Sequence, residues 1–345
     1  MAISQSLRQL GMLDLLETDI LREDEEILKW LLKDCSTGRN ILWATNDYAP
    51  LGEGYGAKDE ILPERITGEK TLVIQPRIAK SQQEQDKRTR QKAEVFTPSW
   101  VCNKQNNLVD AAWFGRKEPI FNREMDTPEG NTWKATKKPI RFTTRKTWQE
   151  YVRATRLEIT CGEAPYLASR YDTVTGNIIP LPERIGLLDR KLRVITENTG
   201  GDREKWKYWA LIALQNIYGY EYQGDNVLLA RENILWTIKD YYHQAFHAEV
   251  PRVFFRHCAE VVCWNIWQMD GMKYVVPESC HEEREATPLL FSGMEGSKPK
   301  PCPGCQKNDV TKHNGTRCRI MAWRTRKQCY FLPPFSFEPI PEAKS

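Results

Sequence analysis

The chain has 345 residues, enough for two modules or one enlarged domain. Hydrophobic residues make up 40% and charged residues 28%, which supports a sizeable core and excludes global disorder; 20 Gly and 20 Pro are too few for a collagen-like or low-complexity chain. The net charge of +4 favours no class of partner by itself, and no run approaches the ~18 apolar residues of a membrane span.

Residues 1–35 read as helix, with Leu10, Leu13, Leu16, Ile20, Ile27 and Leu31 at helical intervals and acids between them. Residues 36–75 carry Gly, Pro and Asn and predict loops and short strands. Lys80 to Lys92 is polar and predicts an exposed helix. Val101 to Phe114 predicts a helix with Val101, Leu108, Ala111, Ala112 and Phe114 on one side, and 115–140 a loop-rich insertion. Thr147 to Arg156 predicts a helix leading into a strand in which Leu157, Ile159 and Cys161 alternate before Gly162. A helix over Glu204 to Asn216 precedes a strand over Ile217 to Tyr222. A long helix over Asn226 to Tyr242 precedes a third apolar strand over Ala259 to Ile266. Strands alternating with helices predict a parallel α/β sheet.

Ten cysteines in a chain of this size read as reduced thiols. Cys302-Pro303-Gly304-Cys305, followed by His313 and Cys318, has the spacing C-x2-C-x7-H-x4-C. A turn-forming C-x2-C supplies two of the four ligands of tetrahedral zinc, so these four form the candidate metal site, with Cys280, His281 and Cys329 as alternatives. Nine bases crowd Lys298 to Cys329. Among them Arg317, Arg319, Arg324, Arg326 and Lys327 are candidate contacts to DNA phosphate. His243 and His247 form an i,i+4 pair without the HExxH glutamate and read as helix-surface residues.

Three segments form a set: EVFTPSWV from Glu94, LEITCGEAPYL from Leu157, and IYGYEYQGDNVLLARE from Ile217. In an open α/β sheet, ligands bind beyond the carboxyl ends of the strands. Gly162 lets backbone approach a ligand there, and Glu221 at the next strand end suits a ribose diol. The order resembles that of N6-adenine DNA methyltransferases, the modification ("subunit M") proteins of restriction–modification systems. Their [Glu/Gly]-x-[Phe/Tyr]-Thr-Pro segment is matched by Glu94 to Pro98. Their Asp-Pro-x-Cys-Gly-x-Gly-x-Phe-Leu loop is matched by Leu157, Glu158, Cys161, Gly162, Ala164, Tyr166 and Leu167. Their Ile-x-Gly-x-[Asp/Glu] strand and Ala-Arg helix are matched by Ile217, Gly219, Glu221, Ala230 and Arg231.

The resemblance implies an S-adenosylmethionine site formed by Phe96, Thr97, Pro98, Glu158, Cys161, Gly162, Glu163, Tyr166 and Glu221, with Asp270 near the adenine. The family's catalytic [Asn/Asp/Ser]-Pro-Pro-[Tyr/Phe/Trp] signature has one echo, Leu332 to Phe335. Leucine there replaces the hydrogen-bond acceptor, so Pro333, Pro334 and Phe335 are degenerate catalytic candidates.

The expected architecture is a Rossmann-like methyltransferase core, partial in extent, over 94–275. A helical and looped region over 1–93 precedes it, and a basic, Cys-rich module over 276–345 follows. The expected function is a DNA adenine-N6 methyltransferase-like subunit of a restriction–modification or related defence system, with DNA and a restriction or specificity subunit as partners. The alternative is a non-catalytic DNA-binding scaffold of the same fold. The N-terminal segment lacks the basic and apolar regions of a secretory signal, which gives the expectation of a cytoplasmic protein.

Overall fold

A computed structural model of the chain describes residues 16–92, 94–95, 97–128, 130–283, 299–333 and 335–340. Phe96, Pro334 and the start of the expected N-terminal helix lie outside them. Among the described residues, two short helices, α1 (Glu17–Glu23) and α2 (Glu25–Leu32), divide the part of the expected 1–35 helix that lies within them. Asp24 breaks it by accepting the Glu26 N–H at 3.2 Å as an N-cap. Loops and single turns follow, then α3 (Gln82–Lys92) and α4 (Ser99–Phe114). The expected insertion is an antiparallel hairpin of β1 (Asn122–Thr127) and β2 (Gly130–Ala135). A Thr147–Glu150 capping box starts α5 (Trp148–Arg153).

Next come β3 (Arg156–Glu158), α6 (Leu187–Asn198), α7 (Arg203–Leu214), β4 (Ile217–Glu221), α8 (Gly224–Phe246), α9 (Arg252–Asn265) and β5 (Ile266–Gln268). The strands pair in the order β3-β4-β5, both pairs parallel, with Glu158 opposite Gly219 and Glu221 opposite Gln268. The fold is therefore mixed α/β around a three-stranded parallel sheet with helical crossovers. The third strand is not where the apolar run placed it. Ala259 to Asn265 belongs to α9, which turns Phe255, Cys258, Ala259, Val261 and Val262 inward, and the strand begins at Ile266.

One apolar core runs from Ile20 and Trp43 through Leu192, Trp206 and Leu235 to Val262. It unites residues of the 16–92 stretch with the parallel sheet. Arg231, fully buried on α8, stitches the two together by donating to the carbonyls of Leu31, Lys33, Cys263 and Ile266. Gly224 opens α8 because a Cβ there would sit 2.0 Å from the Leu42 carbonyl oxygen.

α4 inverts the expected face. Its buried residues are Ser99, Cys102, Asn103, Asn106, Asn107 and Asp110, and Leu108 is 65% exposed. The cause is Arg190 on α6, which pairs with Asp110 at 2.6 Å and donates to Asn103 at 2.9 Å, while Tyr151 donates to Asp110 at 2.9 Å.

The C-terminal part holds α10 (Pro303–Lys307) and an antiparallel sheet, β6 (Arg319–Ala322), β7 (Lys327–Leu332) and β8 (Ser336–Pro339). A smaller apolar cluster joins it to the parallel sheet: Tyr220, Trp267 and Met269 pack with Cys318, Ile320, Cys329 and Phe331. No helix among the described residues is long and apolar enough to cross a membrane.

Candidate functional site

A cavity of about 480 Å³ opens at the carboxyl ends of β3 and β4. Thr97, Glu158, Cys161, Gly162, Tyr166 and Glu221 line it, so six of the residues anticipated from sequence meet there. Glu221, at the tip of β4, organises the loop after β3. Its Oε2 accepts the Gly162 N–H at 3.0 Å, and its Oε1 accepts those of Tyr222 and Gln223 at 2.9 and 3.3 Å. The loop is tightly wound: Thr160, Gly162 and Ala164 have φ of 46°, 53° and 61°. For Thr160 and Ala164 this left-handed backbone costs on the order of 1 kcal/mol each, strain of the kind found at ligand sites.

The cavity's polar atoms are mostly acceptors. Glu94 Oε1, Glu158 Oε2, Gln223 Oε1 and Asn226 Oδ1 are buried and have no hydrogen-bond partner among the described residues, and all four side chains line the cavity. Glu94 is held from behind: its Oε2 accepts from Arg88 at 2.7 Å and from Gln223 at 3.0 Å. Glu158 Oε1 receives the Tyr166 N–H at 3.4 Å, and the Leu167 N–H also faces its carboxyl. Burial pushes the Glu158 carboxyl well above the ordinary carboxylate range, and the nearby Glu221 adds to the shift. Burial raises Glu221 as well, against three backbone N–H groups that lower it. A ligand that fits these walls brings N–H or O–H donors and positive charge.

Sequence reasoning did not single out Glu94, Gln223 and Asn226 for this role. The signal was the polar run after Glu221, which places Gln223 and Asn226 at the start of α8. Three anticipated residues lie elsewhere. Pro98 is the N-cap of α4. Glu163 is locked in the interior, accepting from the Arg77 N–H at 2.6 Å and the Tyr171 hydroxyl at 2.7 Å. Asp270 caps a turn beyond β5, accepting the Met272 N–H at 3.0 Å and pairing with Lys273 at 3.2 Å. Pro333 and Phe335 belong to the β7–β8 turn, where Leu332 is registered against Ser336. The Phe335 ring packs against Tyr274 and Phe331 and does not line the cavity.

A second centre gathers Cys280, Cys302, Cys305 and His313, whose ligand atoms all lie within 4.8 Å of one another. His313 Nδ1 is 3.6 Å from Cys280 Sγ, 3.7 Å from Cys302 Sγ and 3.6 Å from Cys305 Sγ. Zinc bonded at about 2.3 Å to sulfur and 2.0–2.1 Å to nitrogen, at the tetrahedral angle, sets an S···N edge of about 3.6 Å. This group can hold a metal ion. Three of the four ligands expected from spacing are present, and Cys280 replaces Cys318. The Cys318 thiol is fully buried in the apolar cluster and faces the Gln268 carbonyl oxygen at 3.5 Å. Gly304 permits the knuckle, since a Cβ there would lie 2.5 Å from the His313 nitrogen. The Asn314 N–H donates to Cys302 Sγ at 3.3 Å, orienting a ligand sulfur.

Of the basic residues expected to meet DNA, Arg319 is turned inward onto the Ser36 carbonyl oxygen, and Arg317 lies over the Tyr330 ring. Arg324, Arg326 and Lys327 are exposed at the β6–β7 turn. Comparison of the chain with protein-family models, with curated proteins and with solved structures finds no match.

Proposed function

We propose that the cavity at the tips of β3 and β4 binds S-adenosylmethionine, and that the chain is a DNA adenine-N6 methyltransferase-like subunit of a restriction–modification or related defence system. The carrying observation is the set of three buried acceptor oxygens without donors among the described residues, those of Glu158, Gln223 and Asn226, around one cavity. S-adenosylmethionine brings what they lack: an ammonium group, a sulfonium charge, a ribose diol and an exocyclic amine. When bound, it supplies an electrophilic methyl group.

The residues divide the binding work. Glu221 fixes the Gly162 loop and keeps about one of its four lone-pair positions free for a ribose hydroxyl. Glu158, with Oε2 unpartnered among the described residues, meets positive charge. Gln223 and Asn226 accept from the remaining donors. On this reading β3-β4-β5 and helices α6 to α9 are part of a Rossmann-like methyltransferase core.

The second reading, a non-catalytic DNA-binding scaffold, is favoured by one observation. The only echo of the base-holding motif lies in the β7–β8 turn, with a leucine where an acceptor is needed. The two readings meet if a restriction or specificity subunit brings the base-holding groups to this donor-binding subunit. The Cys280/Cys302/Cys305/His313 centre takes zinc as a structural ion with no open position for chemistry. All ten cysteines are free, as fits the reducing cytoplasm.

Titration calorimetry with S-adenosylmethionine is the test. Micromolar binding that Glu221→Ala abolishes supports the reading, and absence of heat with folded wild-type protein overturns it. Methyl transfer to DNA, measured alone and with neighbouring gene products, then separates enzyme from scaffold.

A further inference from the structure

The hairpin β1–β2 carries a surface that the donor site does not use. Beside it runs a groove of about 810 Å³ bordered by six bases, Arg116, Arg123, Lys134, Lys137, Lys138 and Arg141, and one acid, Glu118. All six bases are exposed, and among the described residues none forms an ion pair. Folding has not neutralised this charge.

One further observation points to an anionic ligand. Arg123 and Lys134 stand directly opposite each other in the hairpin register, a like-charge pair that weakens the ladder unless something negative lies over it. The same wall, Lys134 to Lys137, also borders an inner pocket of about 430 Å³, but there Arg184 and Arg193 are already paired with Asp240 and Glu197, so the unpaired charge is confined to the outer groove.

From this geometry we infer that the groove under the β1–β2 hairpin binds the phosphate backbone of a nucleic acid, and that it, rather than the basic C-terminal segment, is the chain's main polyanion surface. Lysines and arginines at a groove edge gain affinity by displacing counterions from a phosphate backbone. The groove begins just past the C-terminal end of α4, whereas Thr97, just before its N-terminal end, lines the donor cavity. A 16-residue helix is about 24 Å long, which a duplex covers in about seven base pairs. A nucleic acid lying in the groove therefore has the donor cavity within reach.

The choice of DNA as probe rests on the proposed function, and binding is measured without methyl donor so that the two readings fail separately. A labelled 20-base-pair duplex is titrated with the full chain by fluorescence anisotropy at several salt concentrations. Lys134→Glu/Lys137→Glu/Lys138→Glu is expected to weaken binding at least tenfold and to flatten the log–log salt dependence by about 0.9 for each phosphate no longer neutralised. Arg324→Glu/Arg326→Glu is expected to stay within twofold of wild type. Should the triple variant misfold, Arg123→Gln/Lys134→Gln decides: with the like-charge pair removed it should melt no lower than wild type and still bind less tightly. The inference is overturned if the duplex does not bind wild type at low salt, if the folded hairpin variants bind as wild type does, or if the C-terminal variant loses as much. Duplex binding without any heat from S-adenosylmethionine leaves the groove standing and removes the donor site; the reverse removes the groove alone.

Discussion

Two buried polar regions handle charge in opposite ways. Between α4 and α6, Arg190 and Asp110 satisfy each other's charge, with Tyr151, Asn103 Oδ1 and the Ile185 carbonyl oxygen around them, and the neutral Asn103 Nδ2 is left without a hydrogen-bond partner among the described residues. At the tips of β3 and β4, Glu158 Oε2, Gln223 Oε1 and Asn226 Oδ1 face a cavity in which no described residue donates to them. Burial of polar groups is thus no sign of function by itself. The closed network is architecture, and the open one is a half-made interaction awaiting its partner.

That contrast is broken most forcefully at the closed network. Asp110→Ala leaves the Arg190 guanidinium buried without its counter-charge and should cost about 3–5 kcal/mol in denaturant unfolding. A loss below ~1 kcal/mol would mean that the pair is no part of the framework. Glu221→Ala removes the acceptor of three N–H groups and should cost about 1–3 kcal/mol while abolishing donor binding; wild-type affinity in the variant would remove Glu221 from the site.

The open network has a pH signature. The Glu158 carboxyl is raised well above its ordinary value of 4.5, so the folded protein holds a proton that the unfolded chain has lost. Stability of the free protein is therefore full below that ordinary value and falls as pH rises through the raised one. A cationic donor prefers the carboxylate, so its affinity should rise over the same window, with proton release on binding. Calorimetry in buffers of different ionisation enthalpy reads both effects, and an affinity that does not rise with pH above the ordinary carboxylate range would contradict them.

The smallest effect separates two cysteines. Cys318→Ser should keep one zinc per chain and lose about 1 kcal/mol of stability, whereas Cys280→Ser should lose the metal. Elemental analysis of untreated protein decides, and zinc retained by Cys280→Ser would restore Cys318 as a ligand.

Sequence reading reached the sites through spacing and missed what depends on distant partners. Glu221 was legible because it ends an apolar strand; Gly162 was legible as a turn glycine, although the strand expected through Cys161 stops at Glu158, with Leu157 and Ile159 exposed. Cys302, Cys305 and His313 were legible because a knuckle is local. Cys280 lies on the segment after β5, and only the fold returns it to the knuckle, whereas Cys318 is taken by the apolar cluster. The Ala259 to Ile266 run was misread because a short apolar stretch fits helix and strand alike; its switch at Ile266 comes where the chain meets β4. The polar inner face of α4 was illegible because Arg190, 80 residues on from Asp110, dictates it.

The most direct measurement sets wild type beside Glu158→Gln, titrating each with S-adenosylmethionine and melting each without it. The substitution keeps the side chain's shape and removes an ionisable carboxyl whose Oε2 has no hydrogen-bond partner among the described residues. The variant should bind at least tenfold more weakly, with a melting temperature equal to or above that of wild type at neutral pH. Equal affinity in the two proteins, or no binding to either, would contradict a donor site built around Glu158.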